Sequence, residues 1–442
     1  MSNLSAGALS FIILLGLLAL RVPIGVAMLA VGASGFVWIA GYAPFLSFLK
    51  TTPFESFSNY SFSVIPLFLL MGNVASSAGL SARLFRGANA LIGHHKGGMA
   101  MAAVGACAAF GTICGSSLAT AATMGRVALP EMRKYGYSGA LATGTLAAGG
   151  TLGILVPPSV PLVIYAIMTE QNIAKLFLAA FIPAGLAVFG FCIAIRAYTF
   201  LYPDSAPATA RLVWSERLRR IGYTWPVVGI FLIVFVGMNG DFFVGRSLFT
   251  PTEGAAIGAM LASIAAVTVG GLGRKELLSS VKATALQSGM IFLILLGAEL
   301  YNAFLARTHL PQVAAQWVAS LGFSPYLVMA MIVAIYIVLG CLMDSLSMIL
   351  LTIPIFFPVV MGLEFGMSPE HTAIWFGILA LIVVELGLIH PPVGLNVYVI
   401  HNLAKDVTMY ETFKGVVPFL IAEFARVSLI IMFPGITLYL IR

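Results

Sequence analysis

Apolar residues run in long blocks along this chain, separated by short polar or glycine-rich gaps. The blocks lie near residues 6–20, 22–40, 62–79, 139–169, 174–200, 225–240, 251–270, 285–304, 371–402 and 415–440. None shows the two-residue alternation of a barrel strand, so each predicts a membrane-spanning helix. Two further blocks, 99–133 and 325–361, are long enough for two half-spans each and carry a polar centre. "FGTICGSSLAT" (Phe110–Thr120) sits in the first and "LGCLMDSLS" (Leu339–Ser347) in the second. Both predict re-entrant helical hairpins whose non-helical tips are tolerable at membrane depth only when buried in protein or facing a watery cavity. The runs 139–169 and 371–402 are broken alike, by "GGTLGILVPPS" (Gly149–Ser159) and "ELGLIHPPVG" (Glu385–Gly394). Glycine permits unusual dihedrals and proline removes a backbone donor, so both predict broken spans.

The breaks belong to a longer series. Pro23 and Pro251, Gly25 and Gly254, Gly72 and Gly297, Gly111 and Gly340, Pro130 and Pro358, Pro157-Pro158 and Pro391-Pro392, and Pro183 and Pro418 recur in one order at spacings of 225 to 235 residues. Basic residues on either side of the first hairpin (Arg83, Arg86, Lys96; Arg133, Lys134) place both its ends in the cytoplasm. Counting spans onward puts Arg211, Arg217, Arg219, Arg220, Arg274, Lys275 and Lys282 inside, brings the second hairpin in from outside, and leaves both termini outside. Equivalent spans then point in opposite directions, the construction of an inverted-topology repeat. The expected organisation is repeat one over 1–202, a basic cytoplasmic linker over 203–224 that is a surface helix or loop, and repeat two over 225–442. Segments 43–60 and 273–285 are amphipathic and read as arms along the interface, linking a static scaffold to a mobile domain.

Composition agrees. Of 442 residues, 60% are hydrophobic and 9% charged, too little polar surface for a soluble fold, and the class is an all-α polytopic membrane protein. The net charge of +7 belongs to cytoplasmic loops rather than to a nucleic-acid surface. Cys107, Cys114, Cys192 and Cys341 lie singly, without metal-knuckle or disulfide spacing. The first apolar run has its basic residue, Arg21, after it rather than before it, the reverse of a signal peptide. No phosphate-binding loop, zinc-protease motif or nucleophile elbow is present.

An unwound helix in a low-dielectric slab frees carbonyls that can ligate Na⁺ and half-helix N-termini that favour anions. One ion site per repeat follows from pairing each tip with the broken helix of its repeat. In repeat one the candidates are Gly111, Ser116 and Ser117 opposite Gly150, Gly153, Val156 and Pro157. In repeat two they are Gly340, Asp344 and Ser345 opposite Gly387, His390 and Asn396. The substrate candidates are Ser116, Ser117, Arg126, Pro158, Asp344, Pro392 and Asn396. Asp344 is either an ion ligand or the cap of its helix. His390 is either a proton site or a donor to freed carbonyls. Arg126 either attracts a substrate carboxylate or snorkels toward the cytoplasm. Glu299 and Glu385 either pair across the repeats or lie near an interface. Thr250 and Glu253 in "TPTEG" predict a helix start.

The motifs "FGTICGSSLATAATMGRVALPEM", "GTLGILVPPSVPLVIYA", "LFTPTEGAAIGAML", "LGCLMDSLSMILLTIPIFFPV" and "ELGLIHPPVGLNVYVI" closely resemble the large membrane subunit of TRAP (tripartite ATP-independent periplasmic) transporters, in order over almost the whole chain. The resemblance implies an elevator-type carrier of the ion-transporter superfamily, Na⁺ coupling, and a bacterial or archaeal cytoplasmic membrane. It further implies a small four-helix membrane subunit and a periplasmic substrate-binding protein that delivers a small organic anion. Cys114 and His390 stand where many members carry Ser or Thr, which puts side-chain ligation there in doubt and leaves carbonyl ligation intact. No four-helix extension precedes the first span, so the small subunit is expected to be a separate polypeptide. The competing expectation is a stand-alone dicarboxylate or citrate symporter of the same superfamily, coupled to Na⁺ or H⁺.

Overall fold

The computed structural model describes residues 3–240, 245, 247–341 and 343–441; Leu342, in the second tip, lies outside them. Among the described residues the secondary structure is entirely helical. Among the described residues six helices are long and apolar enough to cross a bilayer, and eight spans result if each of two bent pairs counts as one. Asn3–Ala19 and Ile24–Ala40, the first two expected spans, are apolar but shorter, at 17 residues each. The hairpins appear as Gly98–Cys114 with Ser117–Lys134 and as Pro325–Gly340 with Ser345–Met361, each pair packed together. The broken spans appear as Gly139–Leu155 with Val160–Met168, bent by 43°, and as Pro369–Gly387 with Leu395–Leu403. The Pro157-Pro158 and Pro391-Pro392 peptide bonds are both cis.

One expected arm is not a separate element. Residues 273–285 form the first turns of a continuous 35-residue helix, Arg274–Thr308. No proline interrupts that stretch, so backbone hydrogen bonding carries on from the amphipathic end into the apolar span. The other arm is the helix Tyr42–Ser58. Helices Leu80–Ile92 and Leu310–Ser320 were not anticipated, and the linker contains the short helix Trp214–Gly222. Thr250 and Glu253 form the expected reciprocal cap.

Two packed groups organise the molecule. In the outer group Ile24–Ala40 lies along Arg274–Thr308 and Val64–Ser77 lies along Pro251–Thr268. In the inner group Gly139–Leu155 packs against both helices of the first hairpin and against Met409–Met432, while Pro369–Gly387 packs against both helices of the second. Every residue from Leu141 to Leu155 and from Thr372 to Gly387 is buried. A helix apolar on all sides and covered on all sides belongs at the centre of a bundle. The two broken spans are also joined to each other. Tyr165 donates to the Ala373 carbonyl at 2.5 Å, and Asn396 Nδ2 donates to the Ala147 carbonyl at 3.3 Å.

The outer group depends on backbone proximity. A Cβ on Gly32 would lie 2.8 Å from the Tyr301 amide nitrogen and 2.9 Å from its Cα. Backbone atoms cannot step aside as a flexible side chain can, so Gly32→Val forces two scaffold helices apart. The expected cost is about 1–3 kcal/mol, read as a lower thermal unfolding temperature in detergent. Gly16→Val is the control, because nothing lies within 4 Å of that position. Equal stability of the two variants would refute this account of the scaffold.

Candidate functional site

Each tip is made by ending one helix and capping the next. In the first, Gly115 takes a left-handed conformation (φ +61°) and closes Gly98–Cys114 by donating its amide to the Gly111 carbonyl at 3.0 Å. Ser116 then caps Ser117–Lys134 by accepting from the Ala119 amide. In the second, Asp344 caps Ser345–Met361, accepting from the Leu346 and Ser347 amides at 3.1 and 3.2 Å and from the Ser347 hydroxyl. Asp344 therefore caps its helix, one of its two expected roles. The depth of each tip is set by glycine on glycine. A Cβ on Gly111 would meet the Gly153 Cα at 2.8 Å, and one on Gly340 would meet the Gly387 Cα at 2.8 Å.

Both tips open onto one cavity of about 620 Å³. Ser116 and Ser117 line it from the first tip, Asp344 and Ser345 from the second, and Asn73 and Gln287 from the outer group. Asn73 Nδ2 donates to Gln287 Oε1 at 2.9 Å and to Thr284 Oγ1 at 3.0 Å, fixing that wall. Among the described residues the cavity lining contains no Lys, Arg or His, and Asp344 is its one charged side chain. The N-termini of two hairpin helices, Ser117–Lys134 and Ser345–Met361, point into it. A second cavity, of about 580 Å³, lies between Tyr42–Ser58, Arg274–Thr308 and the second hairpin, away from both tips. Glu299 lines it and accepts from Ser56, so this acid belongs to the contact of arm and scaffold.

The other sequence candidates lie behind the tips or apart from them. Gly111, Gly153, Gly340 and Gly387 form the two glycine contacts. Val156 caps Gly139–Leu155, and Pro157 and Pro158 are buried, with the Pro158 carbonyl against Gly115. Asn396 is fully buried but sits with repeat one: its amide reaches the Ala147 carbonyl and lies beside Gly150, not beside the second tip. The cause is the crossing of Leu395–Leu403 over Gly139–Leu155. His390 Nδ1 lies within hydrogen-bond reach of the Pro391 carbonyl, an acceptor only, so that nitrogen donates. Pro392 is exposed, and Arg126 is exposed; neither lines the central cavity.

The residue whose place the sequence least disclosed is Glu385. It is 2% exposed, and its Oε1 accepts from Ser345 at 2.7 Å and from Ser117 at 3.4 Å. One carboxyl group thus joins the tips of both hairpins. Its Oε2 is buried without a hydrogen-bond partner among the described residues. Nearby, Glu423 and Arg426 form a buried ion pair on Met409–Met432, and Arg426 also donates to the Pro183 carbonyl at 3.2 Å. The sequence signal was there, an acid and a base three apart in an apolar run, the spacing of facing residues on a helix. Thr120 is a further addition. Its Oγ1 is buried and faces Gly153, where a Cβ would also lie 2.8 Å from the Ser116 carbonyl oxygen. The first tip therefore gathers oxygen donors over a glycine, which fits a hard cation such as Na⁺. Behind the second tip the His390 and Pro391 carbonyls lie 3.6 and 3.5 Å from the Cys341 sulfur, as the Ser116 carbonyl lies 3.9 Å from the Cys114 sulfur at the first, and Asp344 and Ser345 are the oxygen-bearing side chains that face the cavity there.

Comparison with known proteins follows the same lines. A model of the family described as "Tripartite ATP-independent periplasmic transporter, DctM component" matches residues 11–436. The C4-dicarboxylate TRAP transporter large permease protein DctM of Pseudomonas aeruginosa is 34% identical over 417 residues, 93% of each chain. The sialic acid TRAP transporter large permease protein SiaM of Vibrio cholerae is 29% identical over 96% of each. Among solved structures, the YdaH transporter of Alcanivorax borkumensis superposes with a TM-score of 0.59 at 16% identity, covering 89% of this chain and 90% of its own, a likeness of fold.

Removing the Glu385 carboxyl group frees both tips at once. Glu385→Ala is expected to lower stability by about 1–3 kcal/mol, seen as a depressed unfolding temperature in detergent, and Ser345→Ala by less. Wild-type stability in Glu385→Ala would contradict the bridging role.

Proposed function

The chain belongs to the DctM-component family of tripartite ATP-independent periplasmic transporters, and from that premise we propose that it is the large permease subunit of a Na⁺-coupled importer of small organic anions, carboxylates or acidic sugars. Members of this family are transporter permeases rather than enzymes, and the chain is a multi-pass inner-membrane protein. Its relatives include permeases named for C4-dicarboxylates, sialic acid and 2,3-diketo-L-gulonate. These compounds share an anionic group, which defines the substrate class.

The observation that carries the reading is the charge of the central cavity. Two helix N-termini supply about +0.5 each, and Asp344 offsets about that sum. The protein alone therefore offers an anion no net positive charge in a low-dielectric setting. Each cation held at a tip adds a full unit. In repeat one, the Ser116 carbonyl and Thr120 hydroxyl, with Gly153, Val156 and Pro157 opposite, would hold one Na⁺. In repeat two, Asp344 and Ser345, with Gly340, Gly387 and His390, would hold another. Ser116, Ser117 and Ser345 then face the anion from the two tips, with Asn73 and Gln287 across the cavity. Cations bind first, and the anion follows into the field they create.

The inner group of hairpins and broken helices is the body we propose to move, elevator fashion, against the outer group. Supporting this division is one contact made twice: Ile24–Ala40 packs on Arg274–Thr308 as its counterpart Pro251–Thr268 packs on Val64–Ser77, which is also what two inverted repeats produce. On the expected orientation both termini are outside and the first hairpin enters from the cytoplasm. A small four-helix subunit and a periplasmic binding protein complete the transporter.

The test is uptake of a C4-dicarboxylate or sialic acid into proteoliposomes containing this chain, its small membrane subunit and the cognate binding protein. An inward Na⁺ gradient is expected to drive uptake, and Gly153→Val, which fills the first ion site, is expected to abolish it while the protein still inserts. Uptake indifferent to Na⁺ would overturn the coupling. Full uptake by this chain alone would overturn the tripartite assembly.

A further inference from the structure

A third cavity lies far from both tips. It occupies about 770 Å³ between helix Leu80–Ile92 and the linker helix Trp214–Gly222. These helices approach closely: a Cβ on Gly87 would lie 3.3 Å from the Arg220 carbonyl oxygen. Four guanidinium groups line the cavity, those of Arg83, Arg86, Arg219 and Arg220, against the two carboxylates of Glu131 and Glu216. Glu216 pairs with both Arg219, at 2.6 Å, and Arg220, at 2.8 Å. Arg83 donates to the Val269 carbonyl at 2.6 Å. Arg86 is exposed and forms no ion pair among the described residues. The cleft thus carries an excess of two positive charges, with donors left over.

Its surroundings place it at a membrane surface. Trp214, Tyr223 and Trp225 stand exposed beside it, the arrangement of an interfacial aromatic belt. The strongly apolar helix Trp225–Met238 starts there, with Val228 and Leu232 exposed along it. On the other side, Arg83 reaches the last turn of Pro251–Thr268. A phosphate in the cleft would receive paired guanidinium donors, and a chain attached to that phosphate would find apolar surface below it. We propose that this cleft binds the phosphate headgroup of an anionic phospholipid, with its acyl chains along Trp225–Met238. The site also lies on the connection from Val64–Ser77 of the scaffold to the first hairpin, so the bound lipid steadies the joint between the two groups. The proposal is independent of the ion and substrate reading.

The test uses the full chain in neutral detergent. Short-chain phosphatidylglycerol is expected to raise the unfolding temperature by about 3 °C or more, whereas short-chain phosphatidylcholine and inorganic phosphate do not. The exposed pair Arg86→Gln/Arg219→Gln is expected to remove at least half of that rise. Mass spectrometry of the wild-type protein, which needs no variant, is expected to find anionic phospholipid retained over zwitterionic. An equal rise with inorganic phosphate would make this a site for soluble phosphate and overturn the lipid. No rise, an equal rise with phosphatidylcholine, or no enrichment of anionic lipid would overturn it as well.

Discussion

A cavity lined, among the described residues, by one carboxylate and no basic side chain offers no net positive charge to the anion it is proposed to carry. That constraint orders the rest of the molecule. Its walls must supply positive potential without lysine or arginine, and the means available to an all-helical chain are helix N-termini and bound cations. Hairpins bring N-termini to mid-membrane, and broken helices bring carbonyl oxygens there. Neither feature is stable in lipid, so both must be enclosed. The first halves of the two broken helices lie at the centre of the inner group, covered along nearly their whole lengths, and the irregular backbone of the first break, residues 156–159, is buried with them.

The two tips are alike in plan and unlike in chemistry. Gly111 on Gly153 and Gly340 on Gly387 set the same depth. The first tip presents hydroxyl and carbonyl oxygens around Thr120, with the Cys114 sulfur 3.9 Å from the Ser116 carbonyl, whereas the second presents the Asp344 carboxylate, with the Cys341 sulfur 3.5 Å from the Pro391 carbonyl. Two unlike sites need not bind cations equally. Glu385 joins them through Ser117 and Ser345, so displacement of one tip is felt by the other. A coupled carrier requires such a link if it is to move only when its ligands are complete.

Much of this was legible from hydropathy. A polar centre in a double-length apolar block marks a hairpin, and a glycine run before a proline pair marks a broken span, because both signals are local. Partnership across the fold was not legible. The sequence pairs Asn396 with the second tip by symmetry, while the structure pairs it with Ala147 and Gly150, because the inner half of one broken helix crosses the other. Glu385 reads as one more intramembrane acid until the two serines that meet it, 268 and 40 residues away, are brought to it. The polarity change at 273–285 marks an amphipathic arm but not an element boundary, because a change of hydropathy does not by itself interrupt a helix, and Arg274–Thr308 runs on without a break.

The central claim is that the anion site is incomplete without cations at the tips. It is tested most directly by equilibrium binding to the purified chain in detergent, with no gradient and no transport. Sodium is expected to bind in the absence of any organic anion, and a C4-dicarboxylate or sialic acid to bind measurably in Na⁺ but not when choline replaces it. Anion binding of equal strength in choline would contradict the account.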